Sequence, residues 1–209
     1  MKVSAVALLL VLNSVLPITA TGRSILLLAP TATDARIDAS HEAINYWNKV
    51  LAGLEVEARL VGPSIDVESP IVRTLENYAR QISQRAFRLP AGAAEPDPPE
   101  ELVGLGADIV VLLSRQDIVS FTWPIPRVVP PRYFVIIRSV RGPDRNDAMV
   151  SRHVVAHELG HALGLVHNED PHALMCGPCQ PLTAEPDATG FLPLTGIERA
   201  RLVEIYGAP

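Results

Sequence analysis

Short, dense apolar runs alternate along this chain with longer stretches in which apolar positions recur at helical spacing. Residues 24–29 (SILLLA) lie between Arg23 and Pro30 and read as a buried first strand. Residues 35–52 then place Ile37, Ile44, Trp47 and Leu51 on one stripe, with Asn45 and Lys49 off it and Gly53 as a stop. Residues 54–61 (LEVEARLV) alternate as a strand with one wetter face, which Gly62 and Pro63 close. A second helix is expected over 70–87, with Ile71, Leu75, Tyr78, Ile82 and Ala86 on its stripe and Arg73, Glu76, Arg80 and Gln84 elsewhere. The stretch 91–101 (AGAAEPDPPEE) has no periodicity and reads as an exposed loop inserted within the domain.

Residues 107–114 (ADIVVLLS) are β-branched and apolar, a third strand. The stretch 121–132 carries four prolines, so it is an edge strand or a loop but not a central strand. Residues 133–140 (YFVIIRSV) form a further buried strand, and 144–147 turn the chain into the next helix. A last helix spans 195–206, opened by a Thr195/Glu198 capping box and stopped by Gly207. Helical crossovers join parallel neighbours, so the order implies an α/β fold around a twisted, mostly parallel sheet of about five strands.

The first 20 residues change this picture only at the start. Lys2, the apolar run 3–16 and Pro17-Ile18-Thr19-Ala20 have the layout of a cleavable signal peptide, with residues 21–209 as one folded domain. An uncleaved N-terminal anchor is the alternative. Either way the domain is exported, secreted or periplasmic, and no second apolar run is long enough to span a membrane. The 209 residues are 48% hydrophobic and 20% charged, which excludes wholesale disorder. A formal charge of −5 argues against a nucleic-acid or anionic-membrane partner. The two cysteines, Cys176 and Cys179, sit in CGPC. In an oxidising compartment they are expected to be a small disulfide loop or free thiols, and the rival reading is a thioredoxin-like redox site.

The segment 157–167, HELGHALGLVH, carries the chemistry. On a helix His157 and His161 are one turn apart and project from one face. Neutral imidazoles are good zinc ligands, and Glu158 beside them can reach a water without displacing it. A helix continued to 167 would carry His167 away, but Gly164 can adopt the left-handed conformation that turns the chain back. Three histidines without a fourth protein ligand form the catalytic zinc pattern, with Glu158 as general base toward the attacking water.

HExxHxxGxxH followed by a methionine is the metzincin signature, and this chain resembles that clan of zinc metalloproteases. The resemblance implies an α+β zincin fold with an active-site helix, a Met-turn and a C-terminal helix. Met175, eight residues after His167, would be the hydrophobic floor beneath the metal rather than a ligand. The run HNEDPHALM and the tail LTGIERARLVEIYG are similar to matrixins, with Asn168 where a Ser commonly stands. The 70–87 helix and ADIVVLLSRQDI resemble the adamalysin/reprolysin group instead, so the family stays open within the clan. The implied activity is that of a secreted zinc endopeptidase acting on protein or peptide, as a monomer with one catalytic Zn2+. The substrate would lie along an edge strand, for which 121–130 is the candidate. Its prolines suit a protected edge and remove donors that a paired substrate would use. Residues 176–194 would wall the leaving-group side of the pocket. No propeptide cysteine switch is visible, and Ca2+ finds no Asp-rich loop to hold it.

Other residues read more plainly. His153, one turn before His157, is expected to be partly buried or at the surface, since a fourth ligand would block the site. His41 and His172 are expected to be solvated, Trp47 a core anchor and Trp123 a cleft residue. A Cys176 thiolate on the zinc would make the protein latent. A non-catalytic zinc-containing peptide-binding module and an exported thiol oxidoreductase are the alternatives to the peptidase.

Overall fold

The computed structural model describes residues 22–88, 95–139, 148–177 and 189–207. The stretch 1–20 expected to be a signal peptide, the turn at 144–147, most of the expected pocket wall at 176–194 and Cys179 lie outside the described residues. Five strands form one sheet: β1 (Gly22–Ala29), β2 (Arg59–Val67), β3 (Ile109–Leu113), β4 (Phe121–Pro124) and β5 (Tyr133–Ile137). Their order is β2-β1-β3-β5-β4, parallel throughout except for β4, which runs antiparallel to β5. The helices are α1 (Arg36–Gly53), α2 (Val72–Arg88), the short α3 (Glu100–Gly104), α4 (Ala148–Ala162) and α5 (Gly196–Tyr206). The α/β architecture and mostly parallel sheet expected from the pattern are therefore present.

The pleat sorts the core into two halves. Ile25, Leu27, Ile109, Val111, Leu113, Val135 and Ile137 face the side that holds α1, α4 and Met175. Leu28, Val110, Leu112, Phe134 and Ile136 face α2. Trp47 is fully buried at the centre of the first half, and its indole N–H donates to the Ala156 carbonyl of α4 at 2.8 Å. This ties α1 to the helix that carries the histidines. Arg23 does the same for that helix's far end. Its guanidinium donates to the Ala162 carbonyl at 2.8 Å and lies over the rings of Tyr133 and Tyr206.

Three sequence expectations are corrected. The second strand does not end at Gly62-Pro63; it runs from Arg59 to Val67, with a register shift opposite Ser24 and Leu26. Gly62 takes φ +111, a conformation open to glycine, and Pro63 costs little in a strand at the sheet edge. Glu76, off the apolar stripe of the second helix and so expected at the surface, is 5% exposed. It accepts hydrogen bonds from the Arg115 N–H at 2.7 Å and the Ser114 hydroxyl at 3.3 Å, so it closes the end of β3 and is not solvated. The loop expected at 91–101 gives way at its end to α3, which opens after Pro99 and buries Leu102 completely.

Candidate metal centre

α4 carries His157 and His161 one turn apart and ends in a Schellman turn built on Gly164. The Gly164 N–H bonds the His161 carbonyl at 2.9 Å and the Leu165 N–H bonds the Gly160 carbonyl at 3.0 Å. Gly164 has φ +93, the left-handed conformation expected of it. The turn has a second effect. It brings the Leu165 carbonyl back to Nδ1 of His161 at 2.9 Å. The Leu174 carbonyl, one residue before Met175, likewise meets Nδ1 of His157 at 2.8 Å.

A carbonyl only accepts, so both Nδ1 atoms must carry the ring hydrogen. Both Nε2 atoms then offer a bare lone pair. The Nε2 atoms of His157, His161 and His167 lie 3.1, 3.2 and 3.1 Å from one another. The His157 and His161 lone pairs, held that close, repel unless a cation, or a hydrogen on the His167 ring, lies between them. In a tetrahedral site with Zn–N near ~2.0–2.1 Å, ligand nitrogens are about 3.3–3.4 Å apart. The donor type, the tautomers and the spacing all fit zinc. Among the described residues no fourth His, Cys, Asp or Glu joins this group.

Burial favours the neutral imidazoles. It pushes His157 down to about 4, against the opposing pull of the Leu174 carbonyl, and it lowers His161 as well. Glu158 points to the same cleft, of about 430 Å³, which His161, His167, Thr122 and Trp123 also line. Burial pushes its carboxyl up to about 7, while the Thr122 hydroxyl pulls the other way. Those values belong to the metal-free site, and a cation at the three Nε2 atoms would draw Glu158 back down.

Met175 is fully buried, its sulfur packed against Gly160 of α4. It reaches α4 only because Gly160 has no side chain: a Cβ there would fall 2.5 Å from Met175 Sδ and 3.0 Å from Trp47. Gly177 has the same part on the loop side, where a Cβ would overlap the His167 ring. Asn168 joins the pieces. Its N–H donates to the Met175 carbonyl and its carbonyl accepts from Gly177, each at 2.8 Å. Its amide also donates to Glu198, the capping residue of α5.

β4 forms the rim over α4. The Ile125 N–H donates to the Arg132 carbonyl at 2.8 Å, which fixes the phase of this antiparallel pair. Phe121 and Trp123 therefore turn their main-chain groups toward β5, and Thr122 and Pro124 turn theirs to the open edge. Of the 121–132 stretch, expected to be an edge strand or a loop, residues 121–124 are an edge strand and the remainder is turn and loop. Pro124 costs that edge one donor, and Thr122 keeps both its N–H and its carbonyl.

A family model described as Peptidase_M10: Matrixin matches residues 73–188, more than half of the chain. The chain belongs to the matrixin family. The family that the motifs left open is thereby settled, since the match begins within α2 and takes in the part whose pattern resembles the adamalysin group. This matrixin is similar in structure to metalloproteinase-II from Bacteroides fragilis, with a TM-score of 0.52 and 15% identity over 91% of this chain and 54% of that one. The chain thus spans about half the length of that protein, and the likeness shows the zincin-type fold alone. It is also similar to an archaemetzincin from Methanopyrus kandleri (TM-score 0.45, 13% identity, 88% of this chain and 95% of that one). A zinc-dependent peptidase from Methanocorpusculum labreanum gives TM-score 0.38 at 16% identity over 85% and 99%. No curated protein matches the chain.

The structure brings together His157, His161, His167, Glu158, Gly164 and Met175, all named from sequence. Trp123, expected in the cleft, lines it as well, and the remaining candidates lie outside the site. His153 is 4% exposed, its Nδ1 donating to the Met149 carbonyl at 2.7 Å and its Nε2 accepting from the Leu192 N–H at 3.1 Å. Both ring nitrogens are engaged, which makes it a structural core residue. Cys176 is buried and disulfide-bonded, so it offers no thiolate to a metal. His172 and His41 are exposed. Thr122, Gly160 and Gly177 escaped the sequence reading. Two of them are glycines inside or beside the motif, and the spacing HELGH offered the hint that position 160 is small for a reason.

Proposed function

We propose that this matrixin is an exported zinc endopeptidase in which Glu158 handles the proton of the attacking water. The observation that carries the reading is the triangle of Nε2 atoms of His157, His161 and His167 beside a buried carboxyl in an open cleft. Zinc held by those three nitrogens would supply the Lewis acidity that polarises the scissile carbonyl and eases loss of the water proton. Glu158 accepts that proton at its carboxylate and returns it to the leaving amine. Its burial raises its affinity for the proton, which suits a group that must hold one between two transfers. An extended substrate laid along the free edge of β4 meets the Thr122 N–H and carbonyl and the Pro124 carbonyl. Export rests on the N-terminal 1–20 pattern, and N-terminal sequencing of the natural product should find a chain that starts near Thr21.

The test is a peptide library incubated with the purified chain, with and without a chelator. Internal cuts are expected that stop on chelation and return with added zinc. Glu158→Ala should keep its zinc and lose about 10²–10⁴-fold in rate. Cleavage that survives either the chelator or the substitution sinks the reading.

A further inference from the structure

We infer that Thr122 is a positioning residue for Glu158, holding its carboxyl in one place while the proton comes and goes. The inference rests on the peptidase reading above and adds to it a residue outside the histidine motif. Thr122 lies opposite Val135 in the β4–β5 pair, and Val135 belongs to the face of the sheet packed on α4. The pleat therefore aims the Thr122 side chain at that helix. Its Oγ1 lies 2.7 Å from the Glu158 carbonyl oxygen and 2.9 Å from Glu158 Oε2. Both residues line the cleft shared with His161 and His167. Among the described residues no other side chain bonds this carboxyl.

A hydroxyl has one hydrogen and two lone pairs, and it rotates freely about its C–O bond. The Thr122 hydrogen can point at Oε2, at the Glu158 carbonyl, or be shared between them. With Thr122 on Oε2, Oε1 is the oxygen left to take and return the proton, and Oε2 accepts from Thr122 before and after that transfer. The same heavy-atom positions serve both states, so Glu158 need not change rotamer between taking the proton and giving it up. A valine in this place fills the same space and offers no hydrogen. A second link follows from the phase of β4. The main-chain groups of Thr122 face the open edge, so the residue that steadies Glu158 is also the one an extended chain would pair with.

The experiment compares Thr122→Val and Thr122→Ser with the wild type, all zinc-loaded and assayed on one peptide. Thr122→Val should keep its zinc content and melting temperature and lose about 10- to 100-fold in kcat, the size of one lost hydrogen bond to a charged group, with KM within about twofold. Thr122→Ser should restore kcat to within about threefold of the wild type. A valine variant with wild-type kcat, a serine variant as slow as valine, or a loss confined to KM overturns the inference while leaving the peptidase reading intact. A wild type that cuts nothing overturns both. If Thr122→Val does not fold, the serine variant and Thr122→Ala, assayed with its zinc content checked, carry the same comparison.

Discussion

His157 and His161 stand on α4, and a backbone carbonyl fixes the ring of each through Nδ1. His167 stands on the loop beyond Gly164, is exposed, and among the described residues has no carbonyl at its Nδ1. The helix half of the centre is therefore preorganised by elements that also build the core. The loop half depends on the close fit of Gly177 against the ring and on the main-chain bonds of Asn168. Orienting contacts of this sort commonly tune metal affinity by about 10–100-fold. The two halves should fail differently when disturbed.

Alanine at each of two glycines gives the largest contrast. Gly160→Ala drives a methyl into Met175 and Trp47, and overpacking of that sort costs about 1–3 kcal/mol. It should lower the denaturation midpoint of the metal-free chain and weaken zinc binding together. Gly177→Ala should weaken zinc about 10–100-fold with the metal-free midpoint nearly unmoved. Chelator competition and urea titration read the two quantities. Equal destabilisation by both variants would erase the distinction between the helix and loop halves.

Next in size is the response of the metal-free chain to pH. The folded His157 titrates at about 4, below the ordinary value of 6.5, so the unfolded chain binds the extra proton first. Its contribution is present above 6.5 and is lost as pH falls toward 4. Glu158 has the opposite sign. Its folded value of about 7 lies above 4.5, so its contribution is full below 4.5 and is lost as pH rises through 7. The two partly cancel on acidification. Glu158→Gln should therefore show a steeper loss of melting temperature between pH 7 and 4.5 than the wild type. A parallel pair of curves would contradict the burial of that carboxyl.

The smallest effect is expected at Asn168. Replacing it with alanine removes the amide bond to Glu198 and the one from the Asp170 N–H, and should cost about 1 kcal/mol. The loss should appear in the α5 end of the fold by hydrogen exchange before it appears in zinc affinity. Unchanged protection of α5 would mean that the link between loop and tail helix is inert.

Legibility from sequence followed the range of each interaction. The Gly164 turn, the ligand face of α4 and the capping box at Thr195 are local, and a few residues of pattern sufficed for them. The sheet was readable because Ile109–Leu113 and Tyr133–Ile137 are apolar on both faces, as buried parallel strands must be. What escaped was made by distant partners. Glu76 looks solvated on its helix until β3 ends beside it, 38 residues away. His153 reads as partly buried or at the surface until the Leu192 N–H, 39 residues on, meets its ring in the core. Thr122 is an unremarked residue in a proline-rich stretch until the pleat of β4 sets it against Glu158. The second strand escapes the pattern because its bulge is a two-strand property, invisible in either strand alone.

The phase of β4 has a consequence for length. An incoming chain that runs along this border finds donor and acceptor together at a single stop, Thr122, and then an acceptor alone at Pro124. The border acts as a ruler one residue long. A copy of the same strand, seeking a ladder of many rungs, gains little from it. On the peptidase reading proposed above, a substrate pinned there would have fewer rungs to break when its cut halves leave.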